Sequence, residues 1–290
     1  MKKLLLFLGI LLLCNTTAQA SCEDFSCPTD TRLSNKFVRG IGTVTGTNFL
    51  VEKTAQSILR KQIEKEAQGK FNVKLDSFSL SDLKAGRFKF LQIIGQEVVA
   101  EDVYLSYLKL KTMCDYNYIT LDKKNNLITF KENFGMSFFM GISEDDLNNT
   151  MNSISYKKLV DEVNNFGKTY HIFNITSTNI KLRNNQLMYI LEISIPFIKN
   201  KQNIVVSSDI NVYNGKIYLT KTNIINKHFN LDLGNLSYIM NYVNPLNFSL
   251  KILKNKDADL IVENAVIKNN RIDINGKIIV LKDVVTENKE

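Results

Sequence analysis

Tryptophan is absent from this chain of 290 residues, and histidine occurs only twice, as His171 and His228. Neither histidine lies near a serine or cysteine motif and no G-x-S-x-G sequence occurs, so a nucleophilic triad has no support. The chain also lacks a C-x-x-C pair, the usual start of a zinc-binding pattern. We therefore expect a protein that is not an enzyme and that holds no metal or cofactor.

Long apolar runs are also lacking, because no segment after residue 20 approaches the roughly 18 residues of a transmembrane helix. The formal net charge is a mild +8, and the basic residues are scattered along the chain. This distribution does not resemble the footprint of a nucleic-acid-binding protein. It favours anionic surfaces, including membrane surfaces with lipid headgroups, over neutral ones.

The first twenty residues have the three parts of a secretory signal peptide. Lys2 and Lys3 precede an apolar run at residues 4–14, which is too short to span a bilayer. Ala18 and Ala20 then form a small-x-small cleavage site. We predict cleavage before Ser21 and export to the periplasm or the cell envelope.

Three cysteines remain after that cleavage: Cys22, Cys27 and Cys114. An odd number leaves one thiol over. One interpretation is that Cys22 and Cys27 close a small disulfide loop in an oxidising compartment. The other is a lipid anchor on Cys22, which is less favoured because Gln19 stands where such a signal usually has leucine.

The rest of the chain is expected to form one domain over residues 49–283. Residues 21–48 are polar and rich in Gly, Thr and Ser, which predicts a flexible lead-in, and residues 284–290 form a charged tail. The domain begins with the clearest helix of the sequence, at residues 49–68.

That helix is amphipathic, with Asn48 as its predicted N-cap and Gly69 at its end. Its apolar residues recur at helical spacing on one face. They are Val51, Ala55, Ile58, Leu59 and Ile63. Two interpretations of this face remain open, because it suits packing on a sheet as well as contact with lipid.

Most of the remaining chain has the alternation of β-strands, separated by turn residues. Four turns share one chemistry: Asn125-Asn126, Asn184-Asn185, Asn214-Gly215 and Asn269-Asn270. Asn and Gly tolerate the positive φ that two-residue hairpins require, which predicts an α+β fold with a mostly antiparallel sheet. Residues 98–112 show no break and predict one unusually long strand, apolar on both faces.

A soft apolar run at residues 134–142 precedes a predicted helix start at Ser143. The run contains Phe134, Met136, Phe138, Phe139, Met140 and Ile142. Met and Phe adapt to irregular apolar shapes, so the run suits either a core strand or contact with acyl chains. Ser143 and the three acids after it form a capped helix start, without the oxygen spacing of a calcium loop.

Three segments are distinctive as a set. They are residues 86–112, with Gly86, Gly95 and the run Val-Tyr-Leu-Ser-Tyr-Leu at 103–108; residues 142–148; and residues 240–246 closed by 267–276. Together they resemble the LmeA-like phospholipid-binding protein family of exported bacterial proteins, in order and spacing over about residues 48–282. The resemblance implies a non-enzymatic phospholipid binder of the cell envelope. It also implies an elongated, curved sheet wrapped on the long helix, similar to tubular lipid-binding proteins, with short central helices.

We therefore expect a phospholipid-binding or lipid-shuttling protein of the cell envelope. The alternative is a secreted structural or adhesive β-domain that binds protein or glycan, and an enzyme acting on lipid or cell wall is the weakest reading. The candidate lipid-binding residues are Ile58, Leu59, Ile63, Phe134, Met136, Phe138, Phe139, Met140, Leu191 and Ile193. With acyl chains between the helix and the sheet, each buried CH₂ contributes about 0.8 kcal/mol, so binding should depend on chain length more than on headgroup.

Overall fold

A computed structural model describes residues 25–29, 32–35, 47–122, 127–169, 174–195, 199–226, 239–254 and 258–281. The predicted signal peptide, Cys22, both histidines, the predicted Asn125-Asn126 turn and the charged tail lie outside these residues. The helices are α1 Thr47–Glu66, α2 Leu80–Lys84, α3 Glu144–Asn152, α4 Ile154–Thr169 and α5 Pro245–Ser249, which a 3₁₀ turn at Leu250–Leu253 follows. The strands are β1 Gln68–Ser77, β2 Arg87–Ala100, β3 Val103–Thr112, β4 Asn117–Asp122, β5 Leu127–Phe130, β6 Phe134–Ser143, β7 Asn174–Arg183, β8 Gln186–Ser194, β9 Gln202–Tyr213, β10 Lys216–Ile224, β11 Asp259–Lys268 and β12 Arg271–Val280.

The strands divide between two antiparallel sheets. The first sheet has the order β11-β12-β6-β3-β2-β4-β5, and β1 also pairs with β2. The second sheet has the order β10-β9-β8-β7. The prediction of an α+β fold with mostly antiparallel strands is confirmed. We expected a single sheet, whereas the structure has two sheets. Helix α1 contacts chiefly β1, and the structure does not show a sheet wrapped around it.

Three of the four predicted asparagine turns are confirmed by positive backbone angles, and the fourth lies outside the described residues. Asn184 and Asn185 have φ of 53° and 57°, Asn214 and Gly215 have 48° and 70°, and Asn269 and Asn270 have 53° and 56°. Each pair links two adjacent antiparallel strands. The local chemistry of these residues therefore determined where the chain reverses.

The long strand predicted at residues 98–112 was wrong, because a turn at Glu101 and Asp102 divides it into β2 and β3. Their φ angles are 47° and 67°, although neither residue is the Asn or Gly that such a turn prefers. The Asp102 carboxylate accepts hydrogen bonds from the amide (3.2 Å) and hydroxyl (2.7 Å) of Ser155 in α4. A tertiary contact thus supports a turn that the local sequence does not predict.

Helix α1 lies along the free edge of β1 and satisfies part of its backbone. Glu52 accepts a hydrogen bond from the Ser77 amide at 2.7 Å, and Gln56 donates one to the Leu75 carbonyl at 3.1 Å. Covering an edge strand in this way blocks pairing with another chain. Gly69 does not end the helix, as we expected, but lies in β1 with φ of 140°, where a Cβ would come within 2.9 Å of the Gln96 carbonyl oxygen.

The core of the described chain has one large and one small cluster. The large cluster joins the inner faces of both sheets with α3, α4 and residues 240–253. At its centre the Tyr156 hydroxyl donates to the Val243 carbonyl at 2.5 Å and lies 2.5 Å from the Tyr189 hydroxyl. Burial raises the pKa of both tyrosines above the ordinary value, so both remain neutral donors.

Asparagine side chains close the edges of the second sheet. At the β7 edge, Asn148 and Asn164 exchange paired hydrogen bonds with the backbone N–H and C=O of Ile180 and Ile175, at 2.6–3.0 Å. At the β10 edge, Asn241 does the same with Leu219, at 2.9 and 3.1 Å. Each amide reproduces the donor and acceptor of a neighbouring strand, which leaves fewer free backbone groups at the edge.

The described parts of the lead-in, which we expected to be flexible, are attached to the first sheet. A disulfide joins Cys27 to Cys114, with a sulfur–sulfur distance of 2.02 Å, so the predicted Cys22–Cys27 bond is wrong. The physical reason is that folding brings Cys114, 87 residues away, to a Cα distance of 5.6 Å. We call residues 25–29 and 32–35 the strap.

The strap makes a second attachment at Asp82, which is fully buried. The carboxylate accepts hydrogen bonds from the Ser34 amide (2.8 Å), the Ser34 hydroxyl (2.6 Å) and the Ser79 hydroxyl (2.6 Å). Arg87 Nε lies 3.8 Å away. Burial raises the pKa of Asp82, but the hydrogen bonds and Arg87 outweigh it and lower this pKa below its ordinary value.

Candidate surface on the first sheet

The predicted lipid-binding residues do not come together as one cleft. Leu59 packs with the small cluster, which contains Phe134 and partly buried Met136. The large cluster buries four others to 4% exposure or less: Phe138, Met140, Leu191 and Ile193. These four side chains are packed against other core residues, so an acyl chain could reach them only by displacing the core.

The remaining three candidates lie at or near the surface. Ile58 is 62% exposed and points away from the sheet that α1 covers, Ile63 is half-buried, and Phe139 is half-buried on the outer face of β6. The cleft that we expected between α1 and the sheet is therefore replaced by two separately packed clusters. The part of the first sheet that is accessible to a ligand is its outer face.

Strand register places lysines in a row across this outer face. Lys74 of β1 is opposite Gln92 of β2, which is opposite Lys111 of β3. The row continues through Ser137 to Lys277 of β12. Since neighbouring strands are about 4.8 Å apart, successive lysines of the row are attached about 10 Å apart.

Apolar and aromatic side chains border this row on both sides. Phe90 lies on one side, and Ile94 and Phe139 lie on the other, in the row that also contains Lys109. The ammonium groups of Lys74 and Lys111 lie 5.7 and 5.6 Å from the centre of the Phe90 ring, within range for cation–π attraction. We call Lys74, Lys109, Lys111, Phe90, Ile94 and Phe139 the lysine–aromatic face.

Three lysines of this face lack an acidic partner in the described part of the chain. Neither Lys74, Lys109 nor Lys111 has a carboxylate within ion-pair distance, whereas Lys277 lies 2.5 Å from Glu263. Lys74 and Lys111 are also exposed. Their charge is therefore available to an anionic partner.

The strap covers one end of the same outer face. Phe25 occupies the space above Gly135, where a Cβ would come within 2.6 Å of its ring, and Ile279 beside Gly135 is buried. The Ser26 carbonyl accepts a hydrogen bond from Asn133 at 3.3 Å. The apolar end of the face is thus closed, and the lysine-rich part remains open.

The sequence contains a signal for this face. Leu108-Lys109-Leu110-Lys111 alternates with a period of two, as does Val73-Lys74-Leu75. Such alternation indicates strands with one buried and one wet side. The pattern alone could not show that the lysines of distant strands share a row, because the row depends on register.

No helix in the described ranges is long and apolar enough to cross a membrane. Within the same ranges, no three His, Cys, Asp or Glu side chains gather closely enough to hold a metal ion. No family model, no curated protein and no solved structure matches the chain, so the resemblance to LmeA-like proteins stays a hypothesis.

Proposed function

We propose that this chain is a non-enzymatic phospholipid-binding protein of the bacterial cell envelope, which docks on anionic membrane surfaces through the lysine–aromatic face. The observation that carries the proposal is the set of three lysines that have no acidic partner among the described residues and are bordered by half-buried aromatic side chains. A lysine near an anionic bilayer contributes about 1 kcal/mol. Aromatic side chains favour the headgroup level of the membrane interface.

Docking through a surface differs from binding in the cleft that the sequence suggested. Seven of the ten candidate residues are packed into two separate clusters, which supports binding at a surface instead of uptake of whole acyl chains. Affinity should then follow the anionic lipid fraction and fall with added salt. A dependence on acyl-chain length at constant headgroup would favour the cleft, and with it lipid shuttling.

Export supports the same function, because it places the protein where envelope lipids are available. The Cys27–Cys114 disulfide is typical of an oxidising compartment. The charged, apolar and small-residue parts of residues 1–20 are the signal that would take the chain there. N-terminal sequencing of envelope material should find Ser21 first, and an intact Met1 or a lipid on Cys22 would contradict this.

The central test is a vesicle-binding assay with two triple variants of equal charge change. Lys74→Gln/Lys109→Gln/Lys111→Gln removes the lysines of the face. At about 1 kcal/mol each, the loss should weaken binding to anionic vesicles roughly 100-fold. The matched control, Lys157→Gln/Lys216→Gln/Lys254→Gln, removes three exposed lysines from other elements and should change affinity less than about threefold.

Equal losses in the two triple variants would show that only net charge matters and would remove the face from the proposal. Circular dichroism of both variants checks that they fold. If wild-type protein binds no vesicles of any composition, the alternative of a secreted structural or adhesive β-domain becomes the better interpretation.

A further inference from the structure

An open cavity of about 480 Å³, lined about equally by polar and apolar surface, lies beside the lysine–aromatic face, where β3 extends beyond its pairing with β6. This volume is in the range of small-molecule sites. Side chains from β2, β3, α3 and β12 line it. Those that matter here are Gln96, Tyr104, Ser106, Tyr107, Asp146 and Arg271.

Arg271 is held in position at one wall of this cavity. Its side chain crosses β6 above Gly141, where a Cβ would lie 3.2 Å from Arg271 Cδ and 3.3 Å from Nε. Asp273 accepts hydrogen bonds from Nε (2.7 Å) and Nη2 (3.2 Å). Asp273 engages two of the five guanidinium N–H groups, which leaves donors in the planar geometry that suits a phosphate.

Asp146 supplies the opposite charge. Its Oδ2 accepts hydrogen bonds from the amide (2.8 Å) and hydroxyl (2.7 Å) of Ser143 and from the Ser106 hydroxyl. Among the described residues, no lysine or arginine lies within ion-pair distance of this carboxylate. Ser143 is also the strand partner of Arg271, so the unpaired acid and the arginine are neighbours.

Tyr104 and Tyr107 complete the lining, and both are half-buried. Tyrosine rings attract cations, and quaternary or primary ammonium groups are the ligands that combine best with an aromatic ring and a carboxylate. The cavity therefore offers an anion-binding group next to a cation-binding group. A ligand that carries both charges a short distance apart matches it.

We propose that this cavity binds a phosphoamine headgroup, in which a phosphate is joined by a two-carbon link to an ammonium group. Arg271 binds the phosphate, and Asp146 with Tyr104 and Tyr107 binds the ammonium. The inference deepens the proposed function. It rests on that function in one respect only, which is that the headgroup belongs to a membrane lipid. The same chemistry could come from a soluble phosphoamine, which the experiment separates.

The test is an NMR titration of the mature chain with phosphorylethanolamine, and with phosphate and ethanolamine as separate fragments. The intact molecule should shift amide signals around Gln96, Tyr107 and Asp146 and bind at least about tenfold more tightly than either fragment. Arg271→Gln should weaken it about tenfold. Lys268→Gln, across the same hairpin and with the same charge change, should not.

If phosphorylethanolamine binds no better than phosphate, the proposed site is wrong. The same holds if the two variants weaken binding equally. Vesicles of ethanolamine phospholipid should compete with the free ligand. If they do not, a soluble phosphoamine is the source and the lipid assignment of this cavity is wrong. Because the titration needs no membrane, its outcome is independent of the vesicle assay with the lysine variants.

Discussion

Polar side chains have opposite roles in the two sheets of this protein. In the second sheet, asparagines are directed at the backbone, so that Asn148, Asn164 and Asn241 complete the hydrogen bonding of strands β7 and β10. In the first sheet, Lys74 and Lys111 have no acidic partner among the described residues and face outward beside Phe90. Buried amides that satisfy backbone groups stabilise a fold, whereas unpaired surface lysines contribute little to stability and can bind a partner.

The first sheet is attached to a segment that lies outside it. The strap is joined to the sheet by the Cys27–Cys114 disulfide and to α2 by Asp82. The second sheet has no such strap in the described chain, and its edge amides come from helices that follow or precede its strands. The comparison predicts that the two sheets respond to different substitutions.

The largest expected effect is that of Cys27→Ser/Cys114→Ser. The bond closes a loop across 87 residues, and the chain-entropy model assigns such a loop about 4–5 kcal/mol of unfolding free energy. Urea denaturation should show this loss. Hydrogen exchange should then be faster at the ends of β3 and β6 than in β8. A loss of unfolding free energy below about 1 kcal/mol would mean that the strap stays attached to the first sheet without the disulfide.

Asn164→Ala should have the next largest effect, and it should act on the second sheet. It leaves the buried N–H and C=O of Ile175 without their partner, at about 1–3 kcal/mol for each group. Asn152→Ala, at the exposed end of α3, is the matched control and should change the free energy of unfolding by less than about 0.5 kcal/mol. Equal urea midpoints for the two variants would show that edge amides do not stabilise this sheet.

Asp82→Asn should have the smallest effect of the three, with a dependence on pH. The folded state lowers the pKa of Asp82, so its stabilisation is complete above the unfolded value of about 3.9 and is lost as pH falls through the folded value. The variant should lose about 1.5–3 kcal/mol at pH 7 and approach the wild type in acid.

Stability of the Asp82→Asn variant is measured by urea denaturation between pH 7 and pH 2, with Asp115→Asn as the exposed control. A constant difference from the wild type over this range would show that the charge of Asp82 does not stabilise the strap. The triple lysine variant of the face should, by contrast, leave the urea midpoint nearly unchanged while vesicle binding falls.

Features that depend on a few neighbouring residues were predictable from the sequence. Asn184-Asn185, Asn214-Gly215 and Asn269-Asn270 turn the chain because their side chains tolerate positive φ. Ser143 starts α3 because its hydroxyl and the Asp146 carboxylate form a reciprocal cap. The apolar residues at helical spacing predicted the extent of α1 to within two residues, although Asn48 lies inside the helix and does not cap it, and Gly69 lies in β1. The asparagine turns also predicted the antiparallel character of the strands.

Features that depend on which distant segments meet were decided only by the tertiary structure. Cys27 bonds to Cys114 and not to Cys22, because the fold brings Cys114 within reach of the strap. The lysine row exists because register aligns residues of separate strands, and a shift of one residue would send the same side chains to the core. Asn148, Asn164 and Asn241 become edge partners of the second sheet because the fold places their amides against the backbones of β7 and β10.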